Sequence, residues 1–216
     1  VNPGDFNPLA EESGMIVPLG NWIFNEAMQQ LAAWRTQYRS DFSLSVNVSP
    51  VQLLSTDLDC KQWLEKLAQL KIPSQALVIE ITERMLLESD KISDENINTL
   101  QTAGIELALD DFGTGYSSLA YLTEYPIDIL KIDRAFISKI GDPKQDAIVN
   151  AMIAMGKTIG LKVVAEGVET EQQRDYLMHQ NCDILQGYLF AKPLTAAHAT
   201  EYLQQHTQLS TARYSI

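Results

Sequence analysis

Cysteine is nearly absent: Cys60 and Cys182 are the only two in 216 residues, and no CxxC pattern occurs. Nothing therefore points to an oxidising compartment, and reduced thiols in a cytoplasmic setting are expected. Bases are also short, with 16 Lys and Arg against 28 Asp and Glu, a net charge of −12. That argues against a duplex nucleic-acid binder, whose footprint is basic. It leaves an anionic substrate open, because bound cations can reverse a local field. No run of about 18 apolar residues exists, so neither a membrane span nor membrane contact by this segment is expected. No charged-then-apolar leader follows Val1, so no signal peptide is expected. The chain reads as a piece of a longer protein, which can itself be membrane-anchored elsewhere. Low-complexity tracts, flexible linkers and repeats are missing too.

What is plentiful is core material. Hydrophobic residues make up 45% of the chain, enough for a large α/β barrel-type domain. The central stretch is Ile105 to Ser118, IELALDDFGTGYSS. Ile105, Leu107 and Leu109 alternate with Glu106 and Ala108, which predicts a strand. The strand runs into Asp110 and Asp111, and a glycine-bearing loop follows. Adjacent carboxylates raise each other's pKa, and a bound divalent cation removes that cost. The same pair can instead start a turn and cap a helix.

Further strands are predicted at Phe42–Val48, Leu77–Ile81, Ile127–Ile132, Leu161–Ala165 and Ile184–Tyr188. Helices are predicted between them. One runs from Gly20 to about Tyr38, with Ile23, Ala27, Leu31 and Trp34 on its inner stripe. Others are Leu58–Leu70 and Ile92–Ala103, and a short one is expected in SSLAYLTEY. Asp142-Pro143 with Gln145, and Thr170 with Gln173, have capping-box spacing. Thr195 caps a last helix, and residues 209–216 read as a tail beyond a domain of residues 1–208. Strand and helix alternate with room for crossovers, which implies parallel strands.

Polar residues recur at the predicted strand ends: Asn47, Glu80, Asp110, Asp111, Lys131, Glu166 and Gln186. They stand about one strand-loop-helix unit apart. In a parallel barrel the C-terminal strand ends share one mouth, where active sites sit. Single members have structural readings: Glu80 as a buried acid paired with Arg84, Lys131 as a snorkelling lysine, Gln186 as a satisfied core amide. Jointly, four carboxylates and an amide oxygen can hold two hard divalent cations such as Mg²⁺ or Mn²⁺, with Asp110 bridging. Such a pair clamps the attacking and leaving oxygens of an in-line phosphoryl displacement. Lys131 can orient water or neutralise a phosphate oxygen, and Glu166 can ligate a metal or take a proton.

At these residues the chain resembles the EAL-domain phosphodiesterases, which cut cyclic di-GMP to linear pGpG in bacterial signalling. The matching stretches are PGDFNPLAEESGMI, SVNVSPVQL, VIEITERML, LALDDFGTGYSSLAYL, ILKIDRAFI, VVAEGVET and DILQGYLFAKPL. The resemblance implies a modified TIM barrel of the α/β class. It implies metal ligation by Asn47, Glu80, Asp110, Asp111 and Glu166, with Mg²⁺ or Mn²⁺ at a two-metal site. Lys131, Glu166 and Gln186 would position or activate water. Glu83 matches the acid that fixes the DDFGTGYSS loop, which couples the site to homodimerisation. Phe190 and Pro193 match positions that pack a guanine base, and Glu169 matches a further acid.

The family's name-giving Glu-Ala-Leu lies upstream of the PGDF stretch and has no counterpart here. The first two strands are thus expected to be missing, and so short a polypeptide is expected to be poorly stable or to self-associate. A sensory or GGDEF-type domain is expected upstream. The alternative is a catalytically inactive EAL-like module that binds cyclic di-GMP or a protein partner. A barrel lyase of the enolase type shares strand-end carboxylates and a lysine. Adjacent Asp110 and Asp111 favour phosphoryl chemistry over it.

Overall fold

The computed structural model describes residues 3–38, 41–56, 58–87, 91–115 and 121–206. Two compact units divide the chain, one up to Leu107 and one from Ala108. The expected tail 209–216 and the motif residues Tyr116, Ser117 and Ser118 lie outside the described residues.

The first unit opens with helices α1 (Pro3–Glu12) and α2 (Ile16–Gln37). Helix α2 starts four residues earlier than Gly20. Gly20 is interior, because a Cβ there would lie 1.7 Å from the Gln52 amide nitrogen. The glycine is a packing device for that side chain and not a helix start. The C-terminal half of the expected inner stripe holds, and its N-terminal half shifts by one. Phe24, Met28, Leu31 and Trp34 are buried, whereas Ile23 is 40% exposed. Strand β1 (Leu44–Asn47) leads into a one-turn helix, α3 (Pro50–Leu53). Ser49 and Gln52 form a capping box there that periodicity alone does not reveal, because the helix is too short.

Helix α4 (Cys60–Gln69) is capped by Asp59, and β2 (Leu77–Thr82) follows a 3₁₀ turn. Helices α5 (Glu83–Leu87) and α6 (Lys91–Thr102) complete the unit. Trp63 of α4 stacks on Phe24 of α2 with ring centroids 4.1 Å apart. Its indole N–H donates to Asn21 Oδ1 at 3.1 Å, so the large ring is buried without an orphaned donor. Strands β1 and β2 are parallel and in unbroken register, Leu44 against Leu77 through Asn47 against Glu80.

The second unit carries most of β3 (Glu106–Phe112), then α7 (Tyr121–Glu124), β4 (Ile129–Ile132) and α8 (Arg134–Ile137). Helix α9 (Pro143–Thr158), β5 (Lys162–Ala165), α10 (Glu171–His179), β6 (Ile184–Leu185) and α11 (Ala196–His206) follow. Strands β3 to β6 pair in chain order, all parallel. Each crossover is helical, as parallel neighbours require. The core of this unit gathers Ile132, Ile137, Val149, Ile153, Val163, Ala165, Val168, Leu177 and Leu185.

Capping follows the sequence with one amendment. Asp142 accepts from the N–H groups of Lys144 and Gln145, but the carboxylate that reaches back is Asp146, to Gly141 N at 2.9 Å. Thr170 and Gln173 do form a capping box. The last strand is shorter than expected and ends at Leu185, one residue before Gln186. Among the described residues no helix is long and apolar enough to cross a membrane.

Candidate active site

Strand β3 does not stop before its two acids; it runs through them. A regular strand would point Asp110 and Asp111 to opposite faces. The register with β4 shifts between Leu109 and Phe112, and Asp111 has φ +55°. This bulge with a left-handed residue breaks the alternation and brings both carboxylates to one side. A non-glycine residue held there costs on the order of 1–3 kcal/mol, and such strain concentrates at functional sites. Local bonds support it. Asp111 N–H donates to Asp110 Oδ1 at 3.0 Å, and the Thr114 hydroxyl donates to the Asp111 carbonyl at 2.8 Å.

Lys131 comes from β4 and is 4% exposed. A lone ammonium so deep would be costly. It sits 3.0 Å from Asp110 Oδ1 and 2.8 Å from Glu166 Oε1, two carboxylates that are themselves 14% and 17% exposed. Glu166 follows β5 and is anchored by its N–H to the Ile132 carbonyl at 3.0 Å. Asp110, Asp111 and Glu166 each present an oxygen within 4.8 Å of the others. Three carboxylates against one ammonium leave a formal excess of two negative charges. This all-oxygen donor set fits a hard divalent cation.

Gln186 stands one step past the registered pair Ala165 and Leu185. Its N–H donates to the Ala165 carbonyl at 2.9 Å, and its carbonyl accepts from Val168 N–H at 3.0 Å. It is therefore the lateral neighbour of Glu166 at adjacent strand ends. Phe190 is half-buried against the core of this unit, while Glu169 and Pro193 are exposed.

In the first unit, Asn47 and Glu80 are direct partners at the ends of β1 and β2. Partnered residues of parallel strands share a face. Asn47 is exposed and Glu80 is 8% exposed, and Val48 N–H donates to the Glu80 carbonyl at 3.0 Å. Glu83 opens α5 and is 2% exposed, at the helix end that favours an acid. The side chain of Arg84, the partner considered for Glu80, lies outside the described residues.

The structure thus brings Asp110, Asp111, Lys131 and Glu166 together, with Gln186 beside them, and pairs Asn47 with Glu80. Sequence reasoning missed how two consecutive acids come to face one way. The only signal was the FGTG that follows them, which marks a turn but not a bulge inside a strand.

Parallel α/β architecture with polar residues at successive strand ends fits a TIM-like fold. Solved structures bear this out. A cyclic di-GMP complex of the PaMucR phosphodiesterase matches with a TM-score of 0.85 at 38% identity, covering 92% of this chain and 81% of that one. The EAL domain of Mycobacterium smegmatis DcpA matches at 0.80 and 34%, covering 87% and 84%. The family model described as EAL domain matches residues 1–193, and the chain belongs to that family.

Among curated relatives, the bifunctional diguanylate cyclase/cyclic di-GMP phosphodiesterase MucR of Pseudomonas aeruginosa is 39% identical over 197 residues, 91% of this chain and 29% of MucR. Cyclic di-GMP phosphodiesterase PdeR of Escherichia coli is 38% identical over 199 residues, 91% of this chain and 30% of PdeR. The chain spans about three tenths of the length of these two relatives.

Proposed function

We propose that this EAL domain hydrolyses cyclic di-GMP to linear pGpG with the aid of divalent cations, Mg²⁺ or Mn²⁺. The observation that carries the reading is the Lys131 ammonium held between Asp110 and Glu166, with Asp111 turned toward the same oxygens. Asn47, Glu80, Asp110, Asp111 and Glu166 would hold the cations. When bound, these supply charge stabilisation for an in-line phosphoryl displacement.

The rest falls to the chain's own residues. Glu166 accepts a proton from the attacking water, and Lys131, in contact with it, orients that carboxylate. Lys131 also offers its positive charge to a phosphate oxygen as negative charge develops. Gln186, the strand-end neighbour of Glu166, holds water or substrate through its amide. Phe190, Pro193 and Glu169 line the nucleotide side. Glu83 supports the loop that follows Asp111, and a homodimer through the DDFGTGYSS region belongs to the same reading. Residues 1–208 act as the working domain in a cytoplasmic setting.

The test is turnover by the natural full-length protein, with pGpG detected by chromatography in Mg²⁺ or Mn²⁺. Linear product that disappears in Asp110→Asn is expected. Absence of pGpG at every metal concentration rejects hydrolysis; cyclic di-GMP binding without turnover would then identify a sensor module. Asp110→Asn activity within about tenfold of wild type removes Asp110 from its assigned role.

A further inference from the structure

We propose that Gln173 is a positioning residue for this hydrolysis, clamping the loop that carries Glu166 onto the segment that follows Lys131. The inference rests on the reading above, that Lys131 and Glu166 serve the reaction.

Gln173 lies in the first turn of α10 and is only 8% exposed. Its Oε1 accepts from Glu169 N–H at 2.8 Å and from Thr170 N–H at 3.0 Å. Its Nε2 donates to the Ile137 carbonyl at 3.1 Å. Its own N–H donates to Thr170 Oγ1 at 3.2 Å. A capping box needs only the Thr170 bonds. The Glu169 and Ile137 bonds go beyond capping, and they tie together two distant segments.

Those segments are the ones that matter. Ile137 ends α8, a single-turn helix whose N-cap, Asp133, is two residues past Lys131. Glu169 and Thr170 end the loop that begins at Glu166. The same segments meet again at Gly167, with φ +69°, where a Cβ would lie 2.4 Å from Arg134 Cβ and 3.2 Å from Arg134 Cα. The loop is thus pressed against α8 at one point and bonded to it at another. The 2.8 Å contact between Lys131 and Glu166 depends on that seat. Both are long side chains that lose rotamer freedom in the pair, so a rigid mount lets the contact persist. Misplacement of a reacting group by about 1 Å can cost about a hundredfold in rate.

Gln173→Leu removes all the side-chain bonds and keeps an apolar body of similar size. In the full-length protein kcat is expected to fall roughly 10- to 100-fold, the range seen for supporting groups around metal sites, while KM for cyclic di-GMP holds within about threefold. Gln173→Glu keeps the acceptor for both loop N–H groups and sets a carboxylate oxygen, in place of the donor, against the Ile137 carbonyl. Its kcat should lie between Gln173→Leu and wild type. Should Gln173→Leu fail to fold, Gly167→Ala takes its place. It displaces the same loop from Arg134, and the same drop in kcat with KM retained is expected.

Hydrogen exchange supplies a readout independent of turnover. The amides of Val168, Glu169 and Thr170 should exchange at least about tenfold faster in the variant, while those of β5 stay unchanged. Unchanged loop exchange, or a kcat within about threefold of wild type in both Gln173→Leu and Gly167→Ala, overturns the proposal. Faster loop exchange in a protein whose wild type makes no pGpG shows the clamp without the reaction. That outcome defeats the functional reading and the catalytic purpose of the clamp together.

Discussion

The two parallel strand sets present their polar ends by different means. At β1 and β2 the register is unbroken, and one polar residue per strand, Asn47 and Glu80, reaches a common face through pairing alone. At β3 two consecutive acids must face one way, and regular pleating forbids it. The chain meets that demand with a bulge, a left-handed Asp111 and a buried lysine that two carboxylates grip. One polar residue per strand asks nothing unusual of the backbone. Two adjacent acids facing one way ask for strain and for a built-in counter-charge. The strained set is therefore where substitutions should separate stability from function most sharply.

Lys131→Met is the most severe way to break this contrast. It leaves Asp110 and Glu166 facing one another in a partly desolvated site. Turnover is expected to fall by about two to three orders of magnitude, as for loss of a charge-stabilising donor. Stability without cations should drop by about 3 kcal/mol in denaturant melts, because an ion pair with few exposed atoms loses one partner. Wild-type stability together with wild-type kcat would show that the lysine is a bystander.

Asp111→Gly sharpens the comparison from the other side. Glycine accepts φ near +55° freely, so the cation-free protein should gain up to about 1 kcal/mol. The increase in Tm that Mn²⁺ gives the wild type should shrink at the same time. A destabilised variant with full Mn²⁺ response would mean that Asp111 is there for the backbone and not for a ligand.

Asn47→Asp tests the regular set. It places a second acid directly against Glu80, and like charges opposite one another cost a few tenths to about 1 kcal/mol. A small fall in Tm that Mg²⁺ restores is expected. A fall that Mg²⁺ leaves untouched would separate this pair from any cation.

The smallest effect concerns the thiols. Burial, the largest cause for each, pushes Cys60 and Cys182 up to about 11. Held protonated when folded, they contribute stability that is complete below about pH 9, the ordinary thiol value. That contribution is lost as pH rises through about 11. Iodoacetamide should label neither thiol appreciably at pH 7.5, and labelling should climb steeply above pH 10. Rapid labelling at neutral pH would contradict their burial.

Much of this was legible because strands and their last residues obey short-range rules. The apolar run around Glu80 marked β2, the capping pair Thr170 and Gln173 marked α10, and polar strand ends every unit or so marked the candidate site. What was not legible came from long-range packing. Gly20 looked like a helix start until Gln52 was seen lying over it. The N-terminal half of the α2 stripe slipped by one because Phe24 stacks on Trp63, a partner 39 residues away that no window on α2 contains, while Leu31 and Trp34 lie inward as the pattern implied. The bulge at Asp111 depends on pairing with β4, and the second role of Gln173 depends on the Ile137 carbonyl.

The most direct measurement is anomalous diffraction from crystals of the full-length protein soaked in Mn²⁺. A manganese peak within bonding distance of carboxylate oxygens from Asp110, Asp111 and Glu166 is expected. Manganese bound only elsewhere, with Lys131 alone filling the space between those carboxylates, would contradict the account.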